Sequence, residues 1–187
     1  MRNDILRIEL HDEIAARVNK IKLQFDTDDF FVDQEISDEE FKQRVKKTFT
    51  DKEKDDFLRD VFDYIFKFFK NSLEELEERN SFIDSNIERI DSQTFTVKIY
   101  KEEKLVNECK IWRGADFGSS QTIKYSNSIS NRNSYNMMFT VNDDGYTQYL
   151  ESSGLNPYVL DFDDNESFNE KGASEQMWAI LIEPLQR

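Results

Sequence analysis

The residue types best suited to nucleophilic catalysis occur once each in this chain, as the histidine His11 and the cysteine Cys109. A Cys–His pair becomes reactive when the imidazole lies within hydrogen-bond distance of the thiol. His11 falls in a predicted surface helix, and Cys109 alternates with Leu105 and Ile111 in a predicted strand. We therefore expect His11 to be solvated and Cys109 to be buried as a small apolar residue. Structural zinc is excluded, because one Cys and one His cannot supply the usual set of ligands.

Clustered carboxylates are the next candidates, because hard cations such as Ca²⁺ and Mg²⁺ require several oxygen ligands. Asp161, Asp163 and Asn165 alternate as the first ligands of an EF-hand loop do. The position that needs glycine is Glu166, however, and the position of the final glutamate is Gly172. The segment 161–166 is therefore either an irregular divalent-cation site or a solvated acidic loop.

Asp91 followed by Glu108-Cys-Lys110 has the outline of the Asp…Glu-x-Lys arrangement of metal-dependent nucleases. In such sites two carboxylates hold the metal and the lysine steadies the attacking water. Strand alternation puts Glu108 and Lys110 on the face opposite Cys109, which is the expected solvent side. The acidic chain also lacks the basic track with which a nuclease holds its substrate.

A turn rich in Gly and Ser follows a predicted strand end, and it carries Trp112, Arg113, Asp116 and Phe117. Such a strand end can form a ligand pocket, or its Trp-Arg pair can pack on the sheet or contact a partner.

A strand-borne Arg113-Gly followed by Ser128-Ile-Ser130 and a later Glu resembles the sites of ADP-ribosyltransferases. The resemblance, an analogy of dispersed residues, implies that Arg113 and the serines position a dinucleotide and that a Glu stabilises the ribosyl cation. No particular Glu is assigned to that role.

The elements that position these residues are predicted to form an α+β protein. Spacings of three and four between apolar residues, and capping boxes at Ser37–Glu40 and Thr50–Glu53, predict N-terminal helices. Their predicted ranges are 3–23, 38–48, 51–79 and, as a possible continuation, 82–90. The aromatic stripe of the third helix is too wide for one contact, so we expect that helix to lie centrally, against other helices and the sheet or at an oligomer interface.

Alternation with a period of two begins at Thr94 and predicts a C-terminal antiparallel sheet. The predicted strands are 94–100, 105–112, 122–125, 137–141 and 146–150, with a final helix at 174–185 capped by Ser174. The pattern of Ala179–Ile182 also fits a strand, which is the alternative for this last element. Lys101–Lys104 and Asn142–Gly145 are predicted turns. The chain thus divides into a helical region, 1–92, and a β-rich region, 93–187, expected to share one core.

Composition limits the partners. The 187 residues include 39 acidic and 25 basic side chains, a net charge of −14, which repels phosphate backbones and anionic lipids. We expect no direct nucleic-acid or membrane partner. The absence of a signal-peptide pattern and of a second cysteine predicts a cytoplasmic protein, and the residue usage is typical of an AT-rich bacterial or phage genome.

Three functions remain open. We expect a non-enzymatic protein-interaction or regulatory protein without a cofactor, whose protein partner contacts Trp112 or part of the Phe-rich helix. The first alternative is a small nucleotide- or metal-dependent enzyme with a carboxylate/Arg site near the 111–120 turn. The second is an acidic mimic of nucleic acid that occupies a DNA-binding partner.

Overall fold

The computed structural model describes residues 45–115, 121–130, 134–153 and 167–186. Residues 45–187 form one compact unit. The predicted helix 3–23, the capping box at Ser37–Glu40 and residues 38–44 of the second predicted helix lie outside the described residues. Residues 45–48 of that helix are described and are not helical.

The first described helix, α1, spans Asp51–Arg79 and has the predicted boundaries. Its start is fixed by the predicted capping box. The Thr50 side chain accepts a hydrogen bond from the Glu53 backbone, and the Glu53 carboxylate accepts one from the Thr50 N–H at 2.9 Å. Apolar side chains at helical spacing form its buried face: Leu58, Val61, Phe62, Ile65, Phe69 and Leu73.

The sheet is a seven-stranded antiparallel meander in which every strand pairs with its neighbours in sequence. Its strands are β1 (Ile83–Asp91), β2 (Thr94–Lys101), β3 (Lys104–Ala115), β4 (Gln121–Ser126), β5 (Met137–Asp143), β6 (Gln148–Ser153) and β7 (Ser167–Phe168). This confirms the predicted α+β class.

Alternation along the strands gives the sheet two distinct faces. The helix face carries the apolar set, including Phe95, Val97, Cys109, Ile111 and Phe139, which are fully buried. We call the opposite side the outer face. It carries Thr96, Lys98, Lys110, Trp112, Thr122 and Lys124.

Aromatic packing joins α1 to the sheet. The ring of Phe95 lies 5.5 Å from that of Phe62, 5.3 Å from Phe66 and 5.8 Å from Phe69, in tilted or edge-on geometry. Such contacts add to the stabilisation from area burial alone. The wide stripe of α1 is therefore core, as predicted.

The second described helix, α2, spans Glu170–Ile182 and continues into a 3₁₀ turn at Glu183–Leu185. It packs on α1 through Trp178, whose ring lies 5.6 Å from Phe69. The predicted final helix is confirmed, but it begins four residues earlier. Its cap is Asn169, whose Oδ1 accepts from the Gly172 N–H at 2.8 Å, whereas Ser174 is buried and donates to the Glu170 carbonyl.

The predicted helix at 82–90 is wrong, because this segment is strand β1. The four-residue spacing of Ile83 and Ile87 fits one face of a helix, but it also fits one face of a strand, since four is a multiple of two. Pairing with β2 decides the outcome.

The exposure of Leu105 and the start of one strand also differ from the prediction. Leu105 is 51% exposed, because the register of β2 and β3 shifts between Ile99 and Tyr100. The strand predicted at 146–150 begins at Gln148, because the Asp144 carboxylate accepts from the N–H groups of Tyr146 and Thr147 and holds them in the turn. Among the described helices, none has the length and apolar character needed to span a membrane.

Candidate functional site

The outer face places Trp112 among polar and cationic neighbours rather than in the core. In the antiparallel register Trp112 lies opposite Thr94 on β2 and Lys124 on β4, and Lys124 lies opposite Met138 on β5. Directly opposite side chains project from the same face of a sheet. Trp112 is partly exposed and makes no contribution to the helix-side core.

Two lysines of this face lie over aromatic rings. The Lys110 Nζ lies 4.9 Å from the centroid of the Trp112 ring, and the Lys124 Nζ lies 5.5 Å from that of Tyr135. Tyr135 is 39% exposed, whereas Lys124 is only 5% exposed. We call Lys110, Trp112, Lys124 and Tyr135 the Trp112 cluster. Attraction between ammonium groups and ring faces contributes to holding these side chains in place.

Arg113 does not join this cluster, because alternation directs it to the helix face. Its backbone N–H donates to the Gln93 carbonyl at 2.8 Å. Its Nε is buried without a hydrogen-bond partner among the described residues. Asp116 and Phe117, the other candidates of this turn, lie outside the described residues.

The elements of the ADP-ribosyltransferase-like arrangement are not brought together. Arg113 lies opposite Ile123, whereas Ser126, two residues before Ser128, lies opposite Lys110 at the other end of the β3–β4 pair. Three strand residues separate these positions by about 10 Å.

The nuclease-like residues are also separated. Asp91 lies opposite Thr94, which is level with Trp112, and Glu108 is four residues further along β3, about 13 Å away. Asp91 accepts from the Gln93 N–H at 2.7 Å, and Glu108 accepts from the Ile129 N–H at 3.2 Å. Within the described ranges, no His, Cys, Asp and Glu side chains form a group that could hold a metal ion. Asp161, Asp163 and Asn165 lie outside those ranges.

Cys109 is buried, as the sequence indicated. Burial raises the pKa of its thiol, and the Tyr125 hydroxyl next to it also has a raised pKa, again chiefly because of burial. A thiolate is therefore disfavoured at this position. His11 lies outside the described residues.

Among the described residues, carboxyl groups with a shifted pKa do not cluster near Trp112. Hydrogen bonds from the Lys47 side chain and from Thr50 lower the pKa of Glu53 to about 2. A hydrogen bond from Lys52 lowers the pKa of Asp56, and backbone hydrogen bonds from Thr147 and Tyr146 lower that of Asp144. A lowered pKa favours the ionised form, whereas a general acid needs a raised one.

A cavity of about 420 Å³ lies at the other end of the sheet, between β6, β7, the first turn of α2 and Phe57 of α1. No sequence pattern indicates this cavity, because β7 has two residues and is too short for a periodic signal. Helix α2 forms one wall of this cavity. The sequence signal for the start of α2 is Asn169, which lies three residues before Gly172.

Comparison with known proteins gives two matches. The model of the Y4lF protein domain matches residues 84–183. The chain is also 36% identical over 143 residues to a Sinorhizobium fredii protein described as uncharacterized protein y4lF. That match covers 76% of this chain but 44% of the relative, so the chain spans less than half the length of the relative it matches. No solved structure matches. The relative is a bacterial protein. Because the domain match extends over more than half of the sequence, the chain belongs to the Y4lF domain family.

Proposed function

We propose that this chain is a non-enzymatic protein-interaction module whose Trp112 cluster binds a carboxylate-rich segment of a partner protein. The observation that carries the proposal is Trp112 itself, which is held by Lys110 on the outer face although the core does not require it.

The side-chain types of the cluster suit protein recognition. Trp and Tyr are enriched among the few interface residues that contribute most of the binding energy, because each buries a large rigid surface with little loss of side-chain freedom. Lys110 already lies over the Trp112 ring, so less conformational entropy is lost when a partner docks.

Local charge indicates the chemistry of the partner. The chain carries a net charge of −14, yet Lys98 and Lys110 project from the outer face of two adjacent strands. Carboxylates of a partner are attracted to this basic patch. The acidic surface around the patch repels them from other positions on the chain. Glu108, opposite Lys98 in the register, gives the patch a polarity that can orient a bound segment.

The separation of Asp91 from Glu108, and of Arg113 from Ser126, supports this proposal over the nuclease-like and ADP-ribosyltransferase-like arrangements. The Phe-rich helix is a less suitable anchor than Trp112, because Phe62 and Phe69 are fully buried.

Site-specific photo-crosslinking tests the proposal. A photoreactive phenylalanine analogue replaces Trp112 in cells of the native host, and the matched control places it at Leu105, which is 51% exposed on the same strand. We expect one stoichiometric adduct from position 112 and none of that size from position 105. Equal adducts from both positions, or none from 112, would contradict the proposal.

The captured partner is then used to test the charge requirement. Trp112→Ala should weaken binding by about 30-fold, which corresponds to about 2 kcal/mol at an aromatic hot spot. Lys110→Glu should weaken it and Lys110→Arg should preserve it, with affinity falling as salt is raised. Unchanged binding in Lys110→Glu would overturn the carboxylate assignment. Equal thermal unfolding of the variants shows that the fold is intact.

A further inference from the structure

Strand β1 forms a long edge of the sheet. The order of the strands places it at one end, where it pairs with β2 on one side only. It has nine residues, whereas β7 at the opposite edge has two. An edge of this length presents a row of backbone N–H and C=O groups to which a further strand can add.

Ser85 shows which residues of β1 direct their backbone groups away from β2. Its N–H donates to the Glu77 carboxylate of α1 at 2.6 Å, so it points outward from the sheet. Backbone groups alternate in direction along a strand, so those of Ile87 and Arg89 also point outward. The N–H groups of these two residues have no hydrogen-bond partner in the part of the chain that the structure describes.

Both ends of this edge are closed, and only its middle is open. Glu77 occupies the Ser85 N–H at one end. At the other end the pairing of β1 with β2 becomes irregular between Arg89 and Asp91. Caps and bulges of this kind protect a sheet edge against unspecific pairing. The open stretch around Ile87 is therefore short, which favours one added strand in one register.

Carboxylates lie along the outer face of this edge. Asp84 and Glu88 are exposed and four residues apart, so both project from the same face, and Glu88 lies opposite Thr96 of the outer face. Asn86 lies between them and opposite Lys98 of β2. An added strand is therefore favoured when it carries cations beside the two carboxylates and a neutral side chain between them.

A second copy of this chain does not meet that requirement. Each copy carries a net charge of −14. The cationic side chain of β1, Arg89, is already paired with Asp63 of α1. Like charges repel when they face each other across neighbouring strands. The occupant of the edge must therefore bring positive charge of its own.

We infer that β1 binds an extended basic segment of a partner protein as an additional antiparallel strand. One residue of the segment exchanges two backbone hydrogen bonds with Ile87, and its apolar side chain packs beside the half-buried Ile87 side chain. Two basic side chains, four residues apart in the segment, lie opposite Asp84 and Glu88. This surface does not depend on the proposed function of the Trp112 cluster, which attracts carboxylates.

Three blocked heptapeptides are the probes for the full chain. The lysine peptide, Thr-Lys-Val-Thr-Val-Lys-Thr, places its lysines opposite Glu88 and Asp84 and its first valine opposite Ile87. The second peptide has glutamate in place of both lysines. The third keeps the lysines but is N-methylated on the first valine, so it loses the backbone donor that faces Ile87. Both altered peptides should bind at least about 10-fold more weakly than the lysine peptide. Equal binding of either one would overturn the inference.

Amide hydrogen exchange followed by NMR locates the binding edge. In the free chain the amides of Ile87 and Arg89 should exchange rapidly, whereas those of Asn86 and Glu88 should exchange slowly because they pair with β2. The lysine peptide should slow exchange at Ile87 and Arg89. No effect there with about 1 mM peptide would refute the inference, since that concentration reveals even weak binding. Slow exchange of these two amides in the free chain would show that another segment or a second copy already covers the edge, which would also refute it.

Two charge variants separate local from general attraction. Glu88→Lys and Glu175→Lys change the net charge equally, but Glu88 faces the added strand whereas Glu175 is exposed on α2. Only Glu88→Lys should weaken binding of the lysine peptide, by at least about 10-fold. Equal weakening in both variants would contradict the placement on β1.

Two variants of Ile87 test the backbone contact. Ile87→Pro removes the outward N–H without removing a bond between β1 and β2, and it should abolish peptide binding. Ile87→Ala keeps the N–H and should still bind. Wild-type affinity in Ile87→Pro would refute the pairing. If that variant fails to fold, the comparison of the lysine peptide with its N-methylated form on the wild-type chain still decides the case.

Discussion

Cys109 is the sole cysteine, and it lies fully buried between Val97 and Tyr125 on the helix face. Because burial raises the pKa of its thiol, the reactive thiolate is disfavoured in the folded state. We predict that a disulfide reagent such as DTNB labels the native chain only at the rate of unfolding and labels the urea-unfolded chain at once. Absorbance measurements at pH 8 check this. Rapid stoichiometric labelling of the native protein would be the contrary result.

Glu53 gives the stability a defined acid dependence. Its pKa is lowered to about 2 by Lys47 first and then by Thr50, so the ionised form is favoured in the folded state. Its contribution is therefore complete above the ordinary pKa of 4.5 and is lost as the pH falls from there toward 2. We predict that Glu53→Gln lowers the urea midpoint at pH 6 and that the difference from wild type disappears as the pH approaches 2.

Lys47→Met provides the comparison for that measurement. It removes the first cause of the lowered pKa but keeps the Thr50 capping box, so it should reproduce part of the Glu53→Gln effect with the same direction of pH dependence. A wild-type-to-Glu53→Gln difference that stays constant from pH 6 to pH 2 would contradict the assignment.

The site residues show how far sequence reasoning reaches at this scale. Alternation correctly placed Lys110 on the face opposite Cys109, since the period of a strand is strictly two. Proximity in sequence suggested that Trp112 and Arg113 act together, but neighbours in a strand project to opposite faces. The contacts of Lys124 with Tyr135 arise from pairing across strands and from a connecting segment, neither of which local pattern specifies.

At the scale of elements, the β2–β3 hairpin has an unusual turn. Glu102 and Glu103 have φ angles of 50° and 64°, in the left-handed region that Asn and Gly adopt far more readily. Both residues are exposed. We predict that replacing the pair with Asn-Gly raises the free energy of unfolding by about 1 kcal/mol, because the same turn then forms without strain. Urea unfolding measures the change.

A reversed pair serves as the control for that turn. Replacing Glu102-Glu103 with Gly-Asn also removes two negative charges between Lys101 and Lys104, but this order of residues suits the turn less well than Asn-Gly. If both variants gain equal stability, the cause is charge removal rather than backbone conformation.

The elements themselves were predictable where they carry a strong local signal. The box at Thr50 and Glu53 identified the start of α1, and alternation identified β2 and β5. The spacing of Ile83, Ile87 and Ile90 predicts a helix where the structure has strand β1. The regular pairing of β1 with β2 ends at a bulge between Arg89 and Asp91. Such irregularities depend on the partner strand, and a single segment does not reveal them.

At the scale of the molecule, the family match begins inside β1 at residue 84 and leaves α1 outside. In the structure α1 and the sheet share one core, since the Phe95 ring packs on Phe62 and Phe69 of α1. We predict that a fragment of residues 45–187 unfolds cooperatively in urea and keeps its near-ultraviolet dichroism. A fragment of residues 84–187 should lose both, because it exposes the helix face of the sheet to water. Cooperative unfolding of the shorter fragment would show that α1 is dispensable.

The strictly sequential meander also affects how the chain folds during synthesis. Each strand pairs with the one made just before it, so contact order within the sheet is low and hairpins can form one after another as the ribosome advances. Helix α2 is made after the whole sheet, yet its Trp178 covers Phe68 and Phe69 of α1. Until α2 leaves the ribosome, that aromatic edge stays open, and the nascent protein is then vulnerable to aggregation and benefits from a chaperone.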